Sequence, residues 1–479
     1  HLKASVRHLQ LLTPLFRRNW IRFPKSSFIF IIANISGKMG IMKNELVKIA
    51  RKTLPQGALE KTENAYRVAR TKMISLRYGN PARGLRIIAV TGTNGKTTTA
   101  CYINEILKEA GFKTALFTTA VIEIAGKEKI NDLNATVPTV ARLFSFFQTA
   151  QREGAEYVIL EATSHALSQH KFDGVPIEAA VMTNLTQDHL DYHKTMEAYA
   201  AAKAKLFEKN PKYIVLNRDD EWFEYFDKFT ASGEKMTYGT NPEAEAHLTH
   251  VKLYKKGAEA SLLIDHQTHL ELATNLPGEF NVMNMSAAVS LAYLLGIKLE
   301  DIQEGVANLE AIPGRFERVE NKLGIDIIVD YAHTPDALEK LLKTTHKITK
   351  GRLTLVFGAC GDRDKTKRPI MGELAANLAD RIFLTDEESY NENPDEIRTM
   401  IRQGIEQTKK AHKMTEIADR KQAIYQALKS AVRGDTILIT GMGHEQYRIV
   451  NGKRIPWNDK KVVQEIISEI EKKSRKISL

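Results

Sequence analysis

The feature that most restricts the fold is an apolar run that leads through a glycine-containing turn into a helical stretch. Leu85–Thr91 reads LRIIAVT, which is typical of a buried strand, and the turn Gly92–Lys96 follows it directly. Thr97–Ala110 then has helical periodicity and stops at Gly111. A strand, a turn and a helix in this order form a βα unit, the repeating element of parallel sheets. We therefore expect an α/β fold.

The turn itself has the composition of a phosphate-binding loop. Its residues are Thr91, Gly92, Thr93, Asn94, Gly95, Lys96, Thr97 and Thr98. In such a loop the backbone N–H groups and the helix N-terminus face phosphate oxygens. Lys96 is expected to neutralise the β and γ phosphates, and the Thr97 hydroxyl to ligate Mg²⁺. Val90 stands where the strict pattern has its first glycine, so we interpret the loop as a shortened variant that binds ATP and Mg²⁺.

Polar residues also follow two further strand candidates, Tyr157–Leu160 and Ala179–Met182. Glu161 ends the first, and a carboxylate at a strand end beside a phosphate loop holds Mg²⁺ directly or through water. Acids and histidines are concentrated between Asp188 and His193, where burial in a core would be costly. Read alone, this stretch is equally typical of a solvated loop; beside a phosphate loop, a functional site is favoured.

A second series of strand candidates begins after a break near Pro313–Gly314. Its members are Ile325–Val329, Leu353–Phe357, Arg381–Leu384 and Thr436–Ile439. Each ends in a polar loop, and ligands of open α/β sheets lie at such strand ends. We therefore predict a basic extension (1–41), a short helical region (42–83), a central ATP-binding domain with a parallel-rich sheet (84–313) and a Rossmann-like α/β domain (314–479).

The charge of the chain is uneven. The formal net charge is +11, and the first 40 residues hold basic residues and no acid. The chain begins with His1, so we expect the natural start at Met39 or Met42. We predict no nucleic-acid partner, since no recognised nucleic-acid motif occurs. Two cysteines and the lack of an apolar run of about 20 residues indicate a cytoplasmic protein without stable membrane insertion.

Seven ordered motifs resemble those of the Mur ligases, and most closely those of the members that add the third residue of the peptidoglycan stem peptide. They are TGTNGKTTT (Thr91–Thr99), EATSHAL (Glu161–Leu167), TNLTQDHLDYH (Thr183–His193), PGRFERV (Pro313–Val319), DYAHTPDAL (Asp330–Leu338), GDRDKTKRP (Gly361–Pro369) and GMGHE (Gly441–Glu445). The resemblance implies an ADP-forming ligase that activates a carboxylate as an acyl phosphate and joins it to an amino acid. It also implies a nucleotide-peptide acceptor as the second partner.

The resemblance further implies roles for individual residues. It implies that Glu161, His189 and a carbamylated Lys203 are metal ligands, and that Asn281 and Asn284 lie beside adenine. It implies that Arg315, Asp330 and His333 close over ATP, with Lys365, Lys367 and Arg368 as candidate phosphate contacts. Thr136, Ser164 and Lys171 would touch the acceptor, and Glu445 would hold the incoming amino group. By composition alone, Lys203 is an ordinary exposed helix lysine.

Two regions depart from the family pattern. The stretch between Met42 and the phosphate loop is too short for the family's uridine-binding domain. In addition, Tyr390 stands where the family has an arginine that grips the far carboxylate of diaminopimelate. A phenol cannot pair a carboxylate as a guanidinium does. The acidic run Asp386–Glu388 would suit a cationic side chain such as that of lysine.

Two other readings stay open on this evidence. The same core occurs in ligases that extend glutamate on folates or build poly-amino acids, and these need no uridine nucleotide. A non-catalytic ATP-binding switch is the second alternative. Release of ADP only when acceptor and amine are both present would distinguish a ligase from a switch.

Overall fold

The computed structural model describes residues 56–133 and 136–477, which form two compact units. The smaller unit contains helix α1 (Gln56–Arg77) as far as Leu76, together with Gln169–Gly174. Within it the Thr71 hydroxyl donates to the His170 carbonyl at 3.0 Å. The predicted basic extension and residues 42–55 of the predicted helical region lie outside the described residues.

The larger unit contains two extended sheets, of which the first has eleven strands within the described residues. These are β1 (Arg86–Thr91), β2 (Thr114–Phe117), β3 (Val121–Ile124), β4 (Lys127–Ile130), β5 (Tyr157–Glu161), β6 (Ala179–Met182), β7 (Tyr213–Asn217), β8 (Glu234–Gly239), β9 (Ala246–Tyr254), β10 (Gly257–Ile264) and β11 (Thr268–Thr274). The order is β11-β10-β9-β8-β7-β6-β1-β5-β2-β3-β4. The strands from β9 to β2 pair in parallel, and antiparallel hairpins extend both edges.

Helices accompany this sheet. They are α2 (Lys96–Glu109), α3 (Val140–Arg152), α4 (Ser164–Ser168), α5 (Leu190–His193), α6 (Met196–Ala204), α7 (Phe223–Phe226), α8 (Glu279–Leu294) and α9 (Leu299–Asn308). Short 3₁₀ turns cover Pro81–Gly84 and Phe207–Lys209. Helix α8 is apolar around most of its surface, because it packs in the core that α2 and the sheet share.

The second sheet has the order β12-β13-β17-β14-β15-β16, with an antiparallel pair at β12–β13 and parallel pairs elsewhere. Its strands are β12 (Glu317–Arg318), β13 (Asp326–Asp330), β14 (Leu353–Phe357), β15 (Arg381–Leu384), β16 (Met414–Glu416) and β17 (Thr436–Thr440). Its helices are α10 (Pro335–Ile348), α11 (Lys367–Leu378), α12 (Pro394–Gln407), α13 (Arg420–Ser430) and α14 (Asp459–Ile477), with a 3₁₀ turn at Ala411–Lys413. A separate hairpin joins β18 (Tyr447–Val450) and β19 (Lys453–Pro456). Apolar clusters lie on both faces of the six-stranded sheet.

The predicted α/β fold with two sheets is confirmed. Strand β1 is buried along almost its whole length because it lies between β5 and β6 at the centre of the first sheet. The sequence did not indicate the antiparallel strands β9, β10 and β11 or the β18–β19 hairpin. The parallel strands end at neighbouring positions along each sheet edge, and this places the polar loops of the next section close together.

Candidate active site at the phosphate loop and the second sheet

The phosphate loop joins β1 to α2 and packs closely against Thr183 and Asn284. Gly92 and Gly95 have φ values of 144° and 85°, which favour glycine. A Cβ atom on Gly95 would lie 2.1 Å from Asn284 Oδ1, and one on Gly92 would lie 1.8 Å from Thr183 Oγ1. No side chain larger than hydrogen therefore fits at either position.

Lys96 folds back over its own loop. Its ammonium donates to the carbonyl oxygens of Gly92 at 3.1 Å and Thr93 at 2.7 Å. Burial lowers the pKa of Lys96, while the charges of Glu161 and Asp188 oppose that shift. The loop is fixed further by Thr93, whose hydroxyl donates to the Thr186 carbonyl at 3.1 Å. Thr98 is buried in the first turn of α2.

Glu161 ends β5 and faces the start of α2. The hydroxyl of Thr97 donates to Glu161 Oε1 at 2.7 Å, and the backbone N–H of Thr119 donates to the same oxygen at 2.6 Å. The hydroxyl of Thr119 donates to Glu161 Oε2 at 3.0 Å. Arg315, from the chain that enters the second sheet, donates to Thr97 Oγ1 at 3.1 Å. The carboxylate is therefore held rigidly beside the loop by hydroxyl and amide donors.

Lys203 is not an exposed helix lysine. Its side chain is 1% exposed at the end of α6, and its amine donates to the Gly92 carbonyl at 2.6 Å. Burial lowers the pKa of Lys203 well below its ordinary value, and the charge of Lys96 lowers it further. Both effects favour the neutral amine of Lys203 beside the phosphate loop.

The acidic and histidine-rich loop packs against the second sheet's helix α11. His189 has a left-handed φ of 57°, and its ring lies 4.6 Å from that of His165. Burial lowers the pKa of His189 to about 3, so its ring is neutral and can donate a lone pair. The neighbouring Asp188 lies 3.4 Å from the buried ammonium of Lys367. This ion pair joins the loop after β6 to the start of α11.

Residues of the second sheet also reach the phosphate loop directly. Asn94 donates through Nδ2 to Asp336 Oδ2 at 2.8 Å and accepts from the Thr334 hydroxyl at 3.2 Å. Both partners lie at the N-terminus of α10. Asp330 and His333 have local partners instead. Asp330 accepts the N–H groups of Phe316 and Ala332, each at 2.7 Å, and His333 Nδ1 donates to the Tyr331 carbonyl at 2.8 Å.

A cavity opens from this region toward the ends of β15 and β17. It encloses about 440 Å³ of empty space, part of which is open to solvent. One end is lined by Asp188, His189, His333 and Lys367, where Asp188 contacts both His189 and Lys367. The other end is lined by Glu387, Glu388, Tyr390, Gly441 and Glu445, together with Tyr331, Cys360 and Arg363, which contact Glu445, Glu388 and Tyr390 respectively. Tyr390 and Glu445 were predicted to meet the incoming amino acid, and the structure places both at one end of this cavity.

The remaining predicted residues lie in both units. Asn284 lies against the phosphate loop, whereas Asn281 donates to the Pro277 carbonyl at 2.8 Å at the start of α8. Thr136 Oγ1 lies 2.8 Å from Thr119 Oγ1, close to Glu161. Ser164 Oγ lies 2.9 Å from His193 Nε2. Lys171 belongs to the smaller unit, where burial lowers its pKa.

Two of the candidate phosphate contacts have other partners. Arg368 is fully buried, and its guanidinium donates to both oxygens of Glu392 and to the Cys360 carbonyl. Lys365 lies 3.0 Å from the same Glu392. Both cations therefore fix the loop before α11. The acidic run is also divided, because Asp386 pairs with Arg398 while Glu387 and Glu388 line the cavity.

Several residues at the site are not among those predicted from the sequence. Thr119 holds Glu161 partly through its backbone, which no side-chain motif can reveal. Asp336 lies within the motif Asp330–Leu338, but the motif does not indicate its contact with Asn94. Asp386 pairs with Arg398 whereas Glu387 lines the cavity, and the sequence could have indicated this difference only through the alternation of side-chain directions after β15.

The described residues also bear on the predicted membrane and metal contacts. None of the helices between residues 56 and 477 is both long and apolar enough to cross a membrane. The same part of the chain contains no group of three or more His, Cys, Asp or Glu side chains placed to hold a metal ion.

Known proteins match the chain over both sheets. The model of the Mur ligase middle domain matches residues 90–292, and that of the Mur ligase, glutamate ligase domain matches residues 314–443. A relative from Clostridium acetobutylicum, named UDP-N-acetylmuramoyl-L-alanyl-D-glutamate–2,6-diaminopimelate ligase 1, is 39% identical over 422 residues. That match covers 88% of this chain and 85% of the relative.

Solved structures agree with this assignment. A structure of a UDP-N-acetylmuramoyl-L-alanyl-D-glutamate–2,6-diaminopimelate ligase is 36% identical, with a TM-score of 0.57 over 81% of this chain and 79% of that one. Folylpolyglutamate synthase of Mycobacterium tuberculosis, complexed with ADP and AMPPCP, has a TM-score of 0.64 at 18% identity over 78% and 92%. The second match concerns the fold alone. The first, together with the family models and the relative, shows that the chain belongs to the Mur ligase family, the ATP-dependent, ADP-forming ligases.

Proposed function

We propose that this Mur ligase joins an amino acid to the D-glutamyl carboxylate of UDP-N-acetylmuramoyl-L-alanyl-D-glutamate, or of a related acceptor, in cytoplasmic peptidoglycan synthesis. The relatives are named for that acceptor. The observation that carries the proposal is that one cavity runs from His189 and Lys367, beside the phosphate-loop machinery, to Glu445. A phosphate-transfer site and an amine site that share one cavity fit a two-step ligation.

The first step would activate the acceptor. A carboxylate is a poor electrophile, so its oxygen attacks the γ-phosphorus of ATP, ADP leaves, and an acyl phosphate forms. Lys96 and Arg315 would neutralise the phosphate charge that otherwise repels the incoming carboxylate. Lys96 already lies on the loop carbonyl oxygens, and Arg315 is held at Thr97.

The residues around the loop fit Mg²⁺. Thr97 and Glu161 offer hard oxygen ligands 2.7 Å apart, and His189 is neutral. Lys203 would supply a further anionic ligand if carbon dioxide carbamylated its neutral amine, since only an unprotonated amine is nucleophilic. Mg²⁺ held by Thr97, Glu161, His189 and carbamylated Lys203 would supply charge neutralisation at the phosphates.

The second step would form the amide. The amino group attacks the acyl carbon, inorganic phosphate leaves, and one proton is lost from nitrogen. Tyr331, whose hydroxyl donates to Glu445 Oε1 at 3.3 Å, would together with Glu445 hold the incoming amino acid in the cavity. Contacts from α10 and α11 to the phosphate-loop side would limit the access of water, which would waste the acyl phosphate.

Purified protein with ATP, Mg²⁺, UDP-N-acetylmuramoyl-L-alanyl-D-glutamate and a panel of amino acids would test the function. We expect ADP release that requires both acceptor and amine, and a product with the mass of the ligated peptide. Acceptor labelled with ¹⁸O in the glutamyl carboxylate should transfer one ¹⁸O atom to the released phosphate. Amine-independent hydrolysis without label transfer would contradict the ligase, and product with a folate acceptor instead would contradict the proposed acceptor.

A further inference from the structure

The far end of the cavity contains two buried carboxylate oxygens that lack partners. Glu387 is 4% exposed and Glu445 is 8% exposed. Within the described residues, Glu387 Oε2 and Glu445 Oε2 accept no hydrogen bond. Both side chains line the cavity, at the ends of β15 and β17. Because a buried carboxylate without a donor is costly, this pair of oxygens indicates that a ligand supplies the donors.

A third carboxylate at the same end is already satisfied. Glu388 Oε1 accepts the Ile449 N–H at 3.0 Å, and Glu388 Oε2 accepts the Tyr390 hydroxyl at 3.0 Å. Tyr390 is therefore committed to Glu388 and has its hydroxyl hydrogen turned toward an anion. A carboxylate of a ligand placed here would meet the negative charge of Glu388 and would gain no donor from Tyr390.

Among the described cations near this end, only one is placed to meet a ligand in the cavity. Arg420 does not line the cavity, and its Nε and Nη2 are bound to the two oxygens of Asp459, at 2.9 and 2.7 Å. Lys367 is paired with Asp188 at the reactive end. Arg363, with its guanidinium 5.3 Å from the Tyr390 ring centroid, is the remaining cation among the residues that line the cavity. It can pair with one carboxylate of a ligand, which leaves none for a second.

We infer that the incoming amino acid is a diamino monocarboxylic acid of the lysine type, whose distal ammonium binds between Glu387 and Glu445. Its single carboxylate pairs with Arg363, and its reacting amine points toward the Asp188 and His189 end. Burial raises the pKa of Glu387 to about 7, which agrees with a carboxyl that awaits a cation. This assignment rests on the proposed ligase function and differs from the relatives, which are named for 2,6-diaminopimelate, a compound with a second carboxylate.

An amino-acid panel with the intact enzyme tests the inference. The probes are L-lysine, L-ornithine, meso-diaminopimelate and L-norleucine, each with ATP, Mg²⁺ and the nucleotide dipeptide, and the readout is product mass and kcat/KM. We expect lysine to exceed both diaminopimelate and norleucine by about tenfold or more, since one ammonium–carboxylate interaction is worth that factor. A preference for diaminopimelate or for norleucine would overturn the inference and leave the ligase intact. No product with any amine would overturn both.

A variant separates binding from a structural role. Glu387→Gln keeps the shape of the side chain and removes the charge, so the lysine-to-norleucine ratio of kcat/KM should fall about tenfold. Glu373→Gln, an exposed acid on α11, is the matched control and should keep the ratio. If Glu387 were only structural, both substrates would lose equally and the ratio would stay constant. That result would overturn the assignment.

Discussion

Lys203 illustrates how burial changes the chemistry of a single residue. A lysine at the end of a surface helix would be a charged ammonium, but this one is enclosed and faces the Gly92 carbonyl and the Lys96 charge. Desolvation and a neighbouring cation both favour its neutral form. The surroundings of Lys203 therefore favour the unprotonated amine that carbamylation would require.

Replacement of Lys203 tests this assignment. We expect Lys203→Ala to lower kcat by about a thousandfold or more, because a ligand of the phosphate-binding metal would be lost. Acetate or formate should restore part of the activity by supplying a carboxylate in the vacated space. Lys205→Ala, two residues further along, is the matched control and should stay near wild type. Activity of Lys203→Ala within a few-fold of wild type would disprove the role.

Glu445 gives a pH-dependent prediction at the same scale. Burial and the charges of Glu388 and Glu387 raise its pKa well above the ordinary value of about 4.3. Above pH 4.3 the unfolded chain loses this proton while the folded protein keeps it. Stability due to this group is thus complete at low pH and is lost as pH rises toward the raised pKa.

We therefore expect Glu445→Gln to gain stability over the wild type by about 2 kcal/mol between pH 5 and pH 8. Urea unfolding at both pH values, without substrates, measures this difference. Glu373→Gln should follow the wild-type curve. If the wild type and Glu445→Gln respond equally to pH, the carboxyl is not held protonated by its surroundings.

At the scale of elements, four helices and strands hold the phosphate loop in position. Strand β1 and helix α2 hold its ends, α8 closes one side through Asn284, and α10 reaches it through Asp336. The position of Gly95 is accordingly restricted twice, by its φ of 85° and by the close approach of Asn284.

Two glycine substitutions separate these requirements. Gly95→Ala should abolish measurable ATP binding, because its Cβ would overlap Asn284 Oδ1. Gly111→Ala has nearly the same φ, 84°, but no atom within 4 Å of the added Cβ. It should cost only about 1 kcal/mol of left-handed backbone strain and keep ATP affinity. Calorimetric titration with a non-hydrolysable ATP analogue measures both, and equal affinities would contradict the packing explanation.

The elements differ in how far their sequence foretold them. Strands β1, β5 and β14 are continuous apolar runs, which both faces of a covered parallel sheet require, so their bounds were nearly correct. Strands β9 to β11 expose much of one face and carry charged residues, so their pattern resembles an irregular surface segment. Helix α6 is rich in alanine, so its sequence does not show which face of the helix is buried. The burial of Lys203 could therefore not be predicted.

At the scale of the whole molecule, the two sheets of the larger unit meet through polar contacts. The Lys367–Asp188 pair is the most buried of these, with both side chains under a tenth exposed. Burial alone would raise the pKa of Asp188, but Lys367 and neighbouring histidines reverse the shift and lower it strongly. The attraction between Lys367 and Asp188 thus offsets the cost of removing both charges from water.

A double-mutant cycle measures this coupling. Lys367→Met or Asp188→Asn alone should destabilise the protein by about 3 kcal/mol, because each leaves one partner imperfectly matched. The double variant should cost clearly less than the sum of the two. Denaturant unfolding of all four proteins gives the coupling free energy, and strict additivity would show that the two residues act independently.

The sequence predicts candidate site residues only where they stand in recognisable motifs. Lys96, Glu161 and His189 stand in motifs whose order and spacing mark a nucleotide site, and they lie near one another here. Thr119 and Asp336 act through geometry that arises only when distant strands and helices are assembled. The division of labour between Asp386 and Glu387 likewise depends on which side of β15 each residue leaves.

The hydrogen bonds of Lys96 have a consequence for the speed of turnover. Its ammonium is satisfied by two carbonyl oxygens of the loop, and Lys203 donates to one of these as well. When a phosphate binds, Lys96 exchanges these carbonyl partners for phosphate oxygens, so the net free-energy gain is smaller than for a lysine that has no other acceptor. We therefore expect ADP to leave more readily, because Lys96 can return to the same carbonyl oxygens.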